Sequence, residues 1–408
     1  MCSELVTRRL SAIALIAVVG FNLRSVILGV PPVLPAVRDD LHLSFTAAGA
    51  LTALPVLCLG AASIPGAVLV NRFGPSVIVG AGTVGLGLAA LLRLAPPVPA
   101  ALYAFSGLMA LCAAIAQPAM VSAIRAWFPR TIQRASTVFA LGLGLGGLGG
   151  SALSVHLQVL GAWRGTFALW GGLALAAGLL WLAIAPRETA RQTQPGDQGL
   201  LQLVRKPAVW HVAAIFGIQS LVYYGSSSWI PFELRPYGPG YLSAVLLLFN
   251  LVGIPLAMVL VALPWPWATA RPYYALAGVL MTVGTGAFAL GLGAAWFWVL
   301  LLGAGTGMTF TGATALPALL AASRSQVAGY AAVVLTLGYA IALIGPLMGG
   351  VLLDQTHRTT SPFWPMVAAS ISLVVLGLRL PRRPEVAAPT LAANSAASPD
   401  LCRCDGER

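Results

Sequence analysis

Any chemistry in this chain has to be arranged around Arg24. It lies with Asn22 near the middle of AIALIAVVGFNLRSVILGVPPVLP, residues 12–35, an apolar run longer than the roughly 20 residues that cross a bilayer's hydrocarbon. A cation at that depth costs about 2.5–3.5 kcal/mol on insertion scales, so it must face protein or a watery cavity, and it marks a candidate path for an ion or solute. A guanidinium stays charged at any working pH and presents a planar fork of donors, which suits a carboxylate or another small anion. Gly20, Arg24 and Pro31 fall on one helical stripe, leaving room beside the side chain. The competing reading makes Arg24 structural, bonded to backbone carbonyls of a broken neighbouring helix. Asn22 lies off the stripe and serves either the same site or a hydrogen bond to another helix.

Further along, Tyr223, Ser227 and Pro231 recur every four residues and share a helical face. A Tyr there can line a cavity with its ring and offer its hydroxyl to a solute. Gln117, just before Pro118, is an amide where the helix is expected to kink; it binds a solute or packs on a hydroxyl of another span. Trp229 is nearer a span end, where an aromatic interfacial belt is the simpler role and solute contact the sharper one. Thr306, Thr309, Thr311 and Thr314 read as hydroxyls turned back on their own helix.

The missing residue types narrow the chemistry. All 11 Asp and Glu lie outside the apolar runs or at their ends, as do the 4 His. No mid-membrane acid is present to hold a cation and carry a proton, which weighs against a proton-driven exporter of cationic drugs. No cluster suggests a metal, and no Gly-rich phosphate loop suggests a nucleotide, so neither a metal nor another cofactor is expected. A polytopic enzyme would need convergent acids or histidines in a loop. Only Asp39-Asp40 comes near that, and the pair reads as a helix end. The 5 Cys show no paired spacing in exported loops, so no disulfide framework is expected.

The elements that must position these residues follow from composition. With 58% hydrophobic and 8% charged residues and a mean hydropathy of +0.88, the chain is far from a soluble domain. Apolar runs at 10–35, 45–70, 77–94, 99–121, 134–157, 164–185, 209–233, 241–263, 271–291, 295–321, 326–352 and 362–380 predict an all-α polytopic membrane protein of twelve transmembrane helices. The net charge of +12 sits mostly in short loops between runs, where it sets topology; nucleic acid is excluded as a partner, and the lipid bilayer and a small-molecule solute are expected. If the N-terminus is cytoplasmic, the outer loops carry only Arg38, Arg164, Arg235 and Arg358, and the rest of the loop arginines face the cytoplasm. Both termini are therefore expected inside, in a multi-pass protein of the plasma membrane working as a monomer. Arg93, beside Ala95-Pro96-Pro97, is expected to snorkel to the outer interface.

The most polar internal stretch, residues 186–207, divides the chain into six-helix halves at 1–185 and 208–380, with a cytoplasmic linker between them and a disordered cytoplasmic tail at 381–408. Two halves joined by one long linker suggest a transporter built of repeats, with its site at mid-membrane between them. Gly146–Gly150 in the fifth run and Gly345–Gly350 in the eleventh echo each other and are expected at close helix contacts.

Two resemblances rest on these residues. The central linker, the twelve runs and AVLVNRFGPS at 67–76 resemble the major facilitator superfamily, whose fold is the expected architecture. Arg72 and Gly74 are kept, while Ala67 and Asn71 stand where the superfamily pattern has Gly and Asp, so its charge latch lacks the acid. Asn22-Leu23-Arg24, Leu54-Pro55-Val56-Leu57, Phe128-Pro129, Trp163-Arg164, Trp229-Ile230-Pro231, Gly338-Tyr339 and Gly345-Pro346 together resemble the cyanate and 2-nitroimidazole permease family. That resemblance implies secondary movement of a small polar or anionic solute, and it adds Tyr339 to Asn22, Arg24, Gln117, Tyr223, Ser227 and Trp229 as candidate contacts. A multidrug or metabolite exporter of the same fold is the alternative.

Overall fold

The computed structural model describes residues 2–94, 98–186, 203–256, 270–320 and 324–380. Most of the expected linker and the whole of the expected tail lie outside them. The described chain is helical, with no strand among the described residues: α1 Cys2–Leu28, α2 Leu34–Asp40, α3 Phe45–Ala61, α4 Ser63–Phe73, α5 Pro75–Leu92, α6 Pro99–Trp127, α7 Ile132–Leu157, α8 Ala162–Ile184, α9 Pro207–Glu233, α10 Pro239–Leu251, α11 Ala270–Ala289, α12 Ala295–Leu320, α13 Arg324–Ala342, α14 Ile344–Thr356 and α15 Phe363–Leu378. Among the described residues, 8 helices are long and apolar enough to cross a membrane, and α3 and α15 are shorter apolar helices. In hydrocarbon each backbone N–H and C=O must be satisfied within its own segment, which is why the spans are helical. Thr306, Thr309, Thr311 and Thr314 each donate to a carbonyl three or four residues back.

Among the described residues, three spans besides that of α1 and α2, which breaks after Leu28 four before Pro32, are broken for the same reason. α3 ends at Ala61, α10 at Leu251 and α13 at Ala342, and each of these residues lies four before a proline: Pro65, Pro255 and Pro346. A proline has no N–H, so the carbonyl four residues earlier loses its helical donor and the helix stops there.

Within the first half α1 packs along α7, α5 along α6 and α8, and α3 along α6; within the second, α11 packs along α15 and α12, and α9 along α13 and α15. The glycines of α7 make the first contact close. A Cβ on Gly150 would lie 2.6 Å from the Ser25 carbonyl oxygen, and one on Gly146 would run into the Phe21 carbonyl. Gly149 is looser, with its nearest neighbour the Phe21 ring at 3.3 Å. This seam lies inside one half, so it holds that half together.

The halves meet along two seams, α3 against α13 and α14, and α7 against α10. At the end of the bundle that carries Asp39, the first seam is sealed by Trp229, which is 0% exposed. Its indole is wedged between Gly49 of α3 and Gly349 of α14 and tilted on Phe232. It is therefore a packing residue between halves and not a member of an interfacial belt. Arg93 also departs from expectation: it is 3% exposed, held 3.9 Å over the Phe167 ring where α5 meets α8. None of its guanidinium nitrogens has a hydrogen-bond partner.

Candidate solute site

Arg24 sits at mid-depth where the two seams converge. α1 continues through a 31–33 turn and α2 to Asp40, placing Arg24 16 residues from that end, about 24 Å along a helical path at 1.5 Å per residue. Its neighbours come from the other half. The guanidinium lies within hydrogen-bonding reach of the Tyr223 hydroxyl and close to those of Tyr224 and Tyr339. The Tyr223 and Tyr224 rings meet edge to face at 5.2 Å, Tyr223 stacks on Phe249 at 5.3 Å, and Tyr339 meets Phe216 edge to face at 5.2 Å. Arg24 as a residue is partly buried, with these phenols of the opposite half about its charged end. Behind it the chain gives way: Gly147 is a glycine where a Cβ would lie 3.5 Å from Arg24 Cγ.

The polar shell continues outward from the tyrosines. Tyr223 Oη donates to Asn250 Oδ1 at 2.7 Å, and Asn250 Nδ2 donates to Leu246 O at 2.9 Å and to Ser151 Oγ at 3.2 Å. Ser227 is buried with its hydroxyl in reach of Tyr223. One turn toward the Asp39 end, Ser228 Oγ and Thr52 Oγ1 bond across the halves at 2.9 Å. A cavity of about 10 Å³ lies there, lined by Leu28, Pro31, Thr52, Val56, Tyr224 and Ser228; that is room for a single water.

Beyond this pocket the Asp39 end is shut. Asp354 at the end of α14 accepts from the N–H groups of Phe45 and Thr46 at 2.9 and 2.8 Å and from Thr46 Oγ1 at 2.6 Å. It thereby caps α3 from the opposite half, beside the helix's own cap, Ser44. Burial alone would raise the Asp354 carboxyl, but the Thr46 and Phe45 hydrogen bonds outweigh it and hold the group below its ordinary value. Arg235 pairs with Asp39 at 2.6 Å, again between halves, while Arg164 pairs with Asp40 at 2.9 Å within one.

Arg24, Tyr223, Ser227 and Tyr339 are thus brought together. Asn22, 4% exposed, spends its amide nitrogen on Val18 O of its own helix at 2.9 Å and leaves Oδ1 unpaired. Gln117 is half-buried with its Nε2 unpaired and has no contact to the cluster. Trp229 belongs to the seal. Two members were not anticipated, Tyr224 and Asn250. Tyr224 follows Tyr223 directly and so falls off the four-residue stripe. Asn250 is a lone amide in LLLFNLVG, and an isolated polar residue at mid-span is itself a signal of a partner.

The comparisons agree with this architecture. The model of the Major Facilitator Superfamily matches residues 10–343. An uncharacterized transporter of Bacillus subtilis (strain 168), YycB, is 31% identical over 366 residues, covering 88% of this chain and 90% of its own. Two proteins of Escherichia coli (strain K12) are also similar: the 2-nitroimidazole transporter, 25% identical over 93% of this chain and 97% of its own, and the cyanate transport protein CynX, 28% identical over 90% and 94%. Among solved structures, a bacterial homolog of the human lysosomal transporter Spinster in an inward-facing, unoccupied conformation superposes with a TM-score of 0.68 at 17% identity, covering 90% of this chain and 94% of that one. A POT family transporter in complex with a thioalcohol-conjugated peptide reaches 0.70 at 14% identity, covering 90% and 95%. With two helical halves meeting around a charged mid-depth cluster, and with these matches across most of its length, the chain is a membrane transporter, not an enzyme, and belongs to the Major Facilitator Superfamily.

Proposed function

We propose that this transporter carries a small monoanionic or strongly dipolar solute by alternating access, with Arg24 as its anchor in the cavity between the halves. One observation carries the reading: a guanidinium at mid-depth with three phenols of the opposite half about it. The polar groups described around it are hydroxyls and an amide. Such a site offers positive charge and donors, and a bound anion neutralises a charge that is costly in a dry cavity. Occupancy then favours approach of the halves, which gives the solute the differential affinity that a transport cycle needs. Tyr339 and Tyr223 come from the second half and Arg24 from the first, so the site is complete only when both halves close on it. Ser227 supports the cluster; Asn22, Gln117 and Trp229 act outside it. The names of the two Escherichia coli relatives supply two probes of suitable chemistry, the cyanate anion and the planar, dipolar 2-nitroimidazole.

The test is uptake of radiolabelled cyanate and 2-nitroimidazole into proteoliposomes of purified protein, with Arg24→Lys and Arg24→Gln as variants that keep polarity. Saturable uptake is expected in the unaltered protein. Arg24→Lys should raise KM about tenfold by losing the planar fork, and Arg24→Gln should abolish uptake at normal expression. Unchanged KM in Arg24→Gln would make Arg24 structural and overturn the reading.

A further inference from the structure

The hydrogen bonds behind Arg24 run in one fixed direction. Which end of the Asn250 amide faces which neighbour is set by Leu246, because a backbone carbonyl can only accept: the atom 2.9 Å from Leu246 O must be Nδ2. Oδ1 then faces Tyr223, and since a carbonyl oxygen has no proton, the Tyr223 hydroxyl has to spend its single proton on it at 2.7 Å. The second Nδ2 proton goes to Ser151 Oγ at 3.2 Å, whose own proton is taken by Gly147 O at 2.7 Å. Tyr223 Oη is left with its lone pairs, and the two polar groups near it, Arg24 and Ser227, can both donate. With its single proton committed to Asn250, the phenol can accept but has none to give to an anion.

We propose that Asn250 is a positioning residue of the solute site, holding Tyr223 as an acceptor that aims the Arg24 guanidinium, so that Tyr223 itself makes no hydrogen bond to the solute. This rests on the reading of Arg24 as the solute anchor and assigns the parts within it. The solute meets the N–H groups of Arg24 that Tyr223 does not engage, together with Tyr224 and Tyr339. Those two hydroxyls lie near each other and near Arg24, and theirs are the phenolic protons that can turn toward an anion. Asn250 also joins the halves: Tyr223 and Asn250 belong to the second, Arg24 and Ser151 to the first. The aim of the cation is therefore set only while α7 and α10 remain in contact: parting of that seam breaks the Asn250–Ser151 bond and carries Arg24 away from Tyr223, which stays on Asn250.

The experiment places 3-fluorotyrosine singly at position 223 or 339 and reads its fluorine resonance in purified protein, with and without sodium cyanate. Without any solute, Asn250→Leu and the smaller Asn250→Ala should each move the resonance at 223 by more than its linewidth. An unmoved resonance in Asn250→Leu and Asn250→Ala would overturn the role of Asn250. With cyanate, the resonance at 339 should move more than that at 223, and the reverse order would also overturn the proposal. If cyanate moves neither, cyanate fails as a solute, while the arm without solute still decides whether Asn250 holds Tyr223.

Discussion

Two arginines lie deep in the first half, Arg24 and Arg93, and their surroundings differ in kind. Arg24 has phenols about it; Arg93 has the Phe167 ring and, among the described residues, no hydrogen-bond partner for its three nitrogens. Cation–π attraction of about 0.5–2 kcal/mol does not replace the hydrogen bonds of a buried guanidinium, and each unmet buried donor costs about 1–3 kcal/mol. Arg93→Met fills a similar volume without that cost, so it should raise the thermal midpoint, by roughly 2–4 °C for each kcal/mol recovered, with transport KM unchanged; differential scanning fluorimetry reads it, and a lower midpoint would show that the cation is matched by contacts made in the bilayer. The contrast also explains what could be read beforehand. Arg24, Tyr223 and Ser227 were legible because helical spacing places residues four apart on one face. Asn22 shares the run with Arg24 but points elsewhere, since its amide is taken by Val18 of its own helix. Arg93 was misplaced because sequence gives distance from a span end but not the neighbour, here α8, that covers it.

At the scale of elements, the seal at the Asp39 end joins helix ends that belong to different halves. Asp354 does for α3 what an N-cap does, but from the far half, and such a contact is worth about 1 kcal/mol, with a further contribution from a carboxylate at the helix's positive end. Asp354→Asn should weaken it and raise the fraction of molecules open at that end, measured as faster labelling of a cysteine at Ser44 than in the same cysteine variant with Asp354 intact. Because the folded-state value of Asp354 is depressed, its contribution is complete above the ordinary Asp value of about 3.9 and is lost as pH falls through the depressed value. The seal should therefore be insensitive to pH across the neutral range, and labelling at Ser44 should rise only in strong acid. The glycines of the same end respond differently. Gly349→Leu drives a side chain into the Trp229 indole, an overpacking cost of about 1–3 kcal/mol or more, and should cut transport while membrane insertion persists. Gly149→Leu meets only a ring edge at 3.3 Å and should be milder, whereas Gly146→Leu meets the α1 backbone and should lower expression. Uptake and membrane yield measured side by side separate the three.

Over the whole molecule, the alternation of helix directions collects the loops with Asp39, Arg164, Arg235 and Asp354 at one end. If that end is outside, as the spread of arginines predicts, a membrane-impermeant maleimide should not reach a cysteine introduced at Gln198 in intact cells, and labelling there would reverse the topology. The all-helical, many-span architecture was legible because apolar length is a strong signal. The pairing of α3 with α14 and of α7 with α10 was not, since it depends on contacts between residues from 91 to 309 apart in the chain. The broken spans add a consequence of their own. α3, α10 and α13 all stop at a residue four before a proline, and all three lie on the seams between the halves. A span with a joint can tilt at one end while its other end stays docked. Neither half then has to swing as a rigid block for the Asp39 end to open. On the proposed alternating-access cycle such joints make an airlock of the cavity, in which one door moves while the other stays shut.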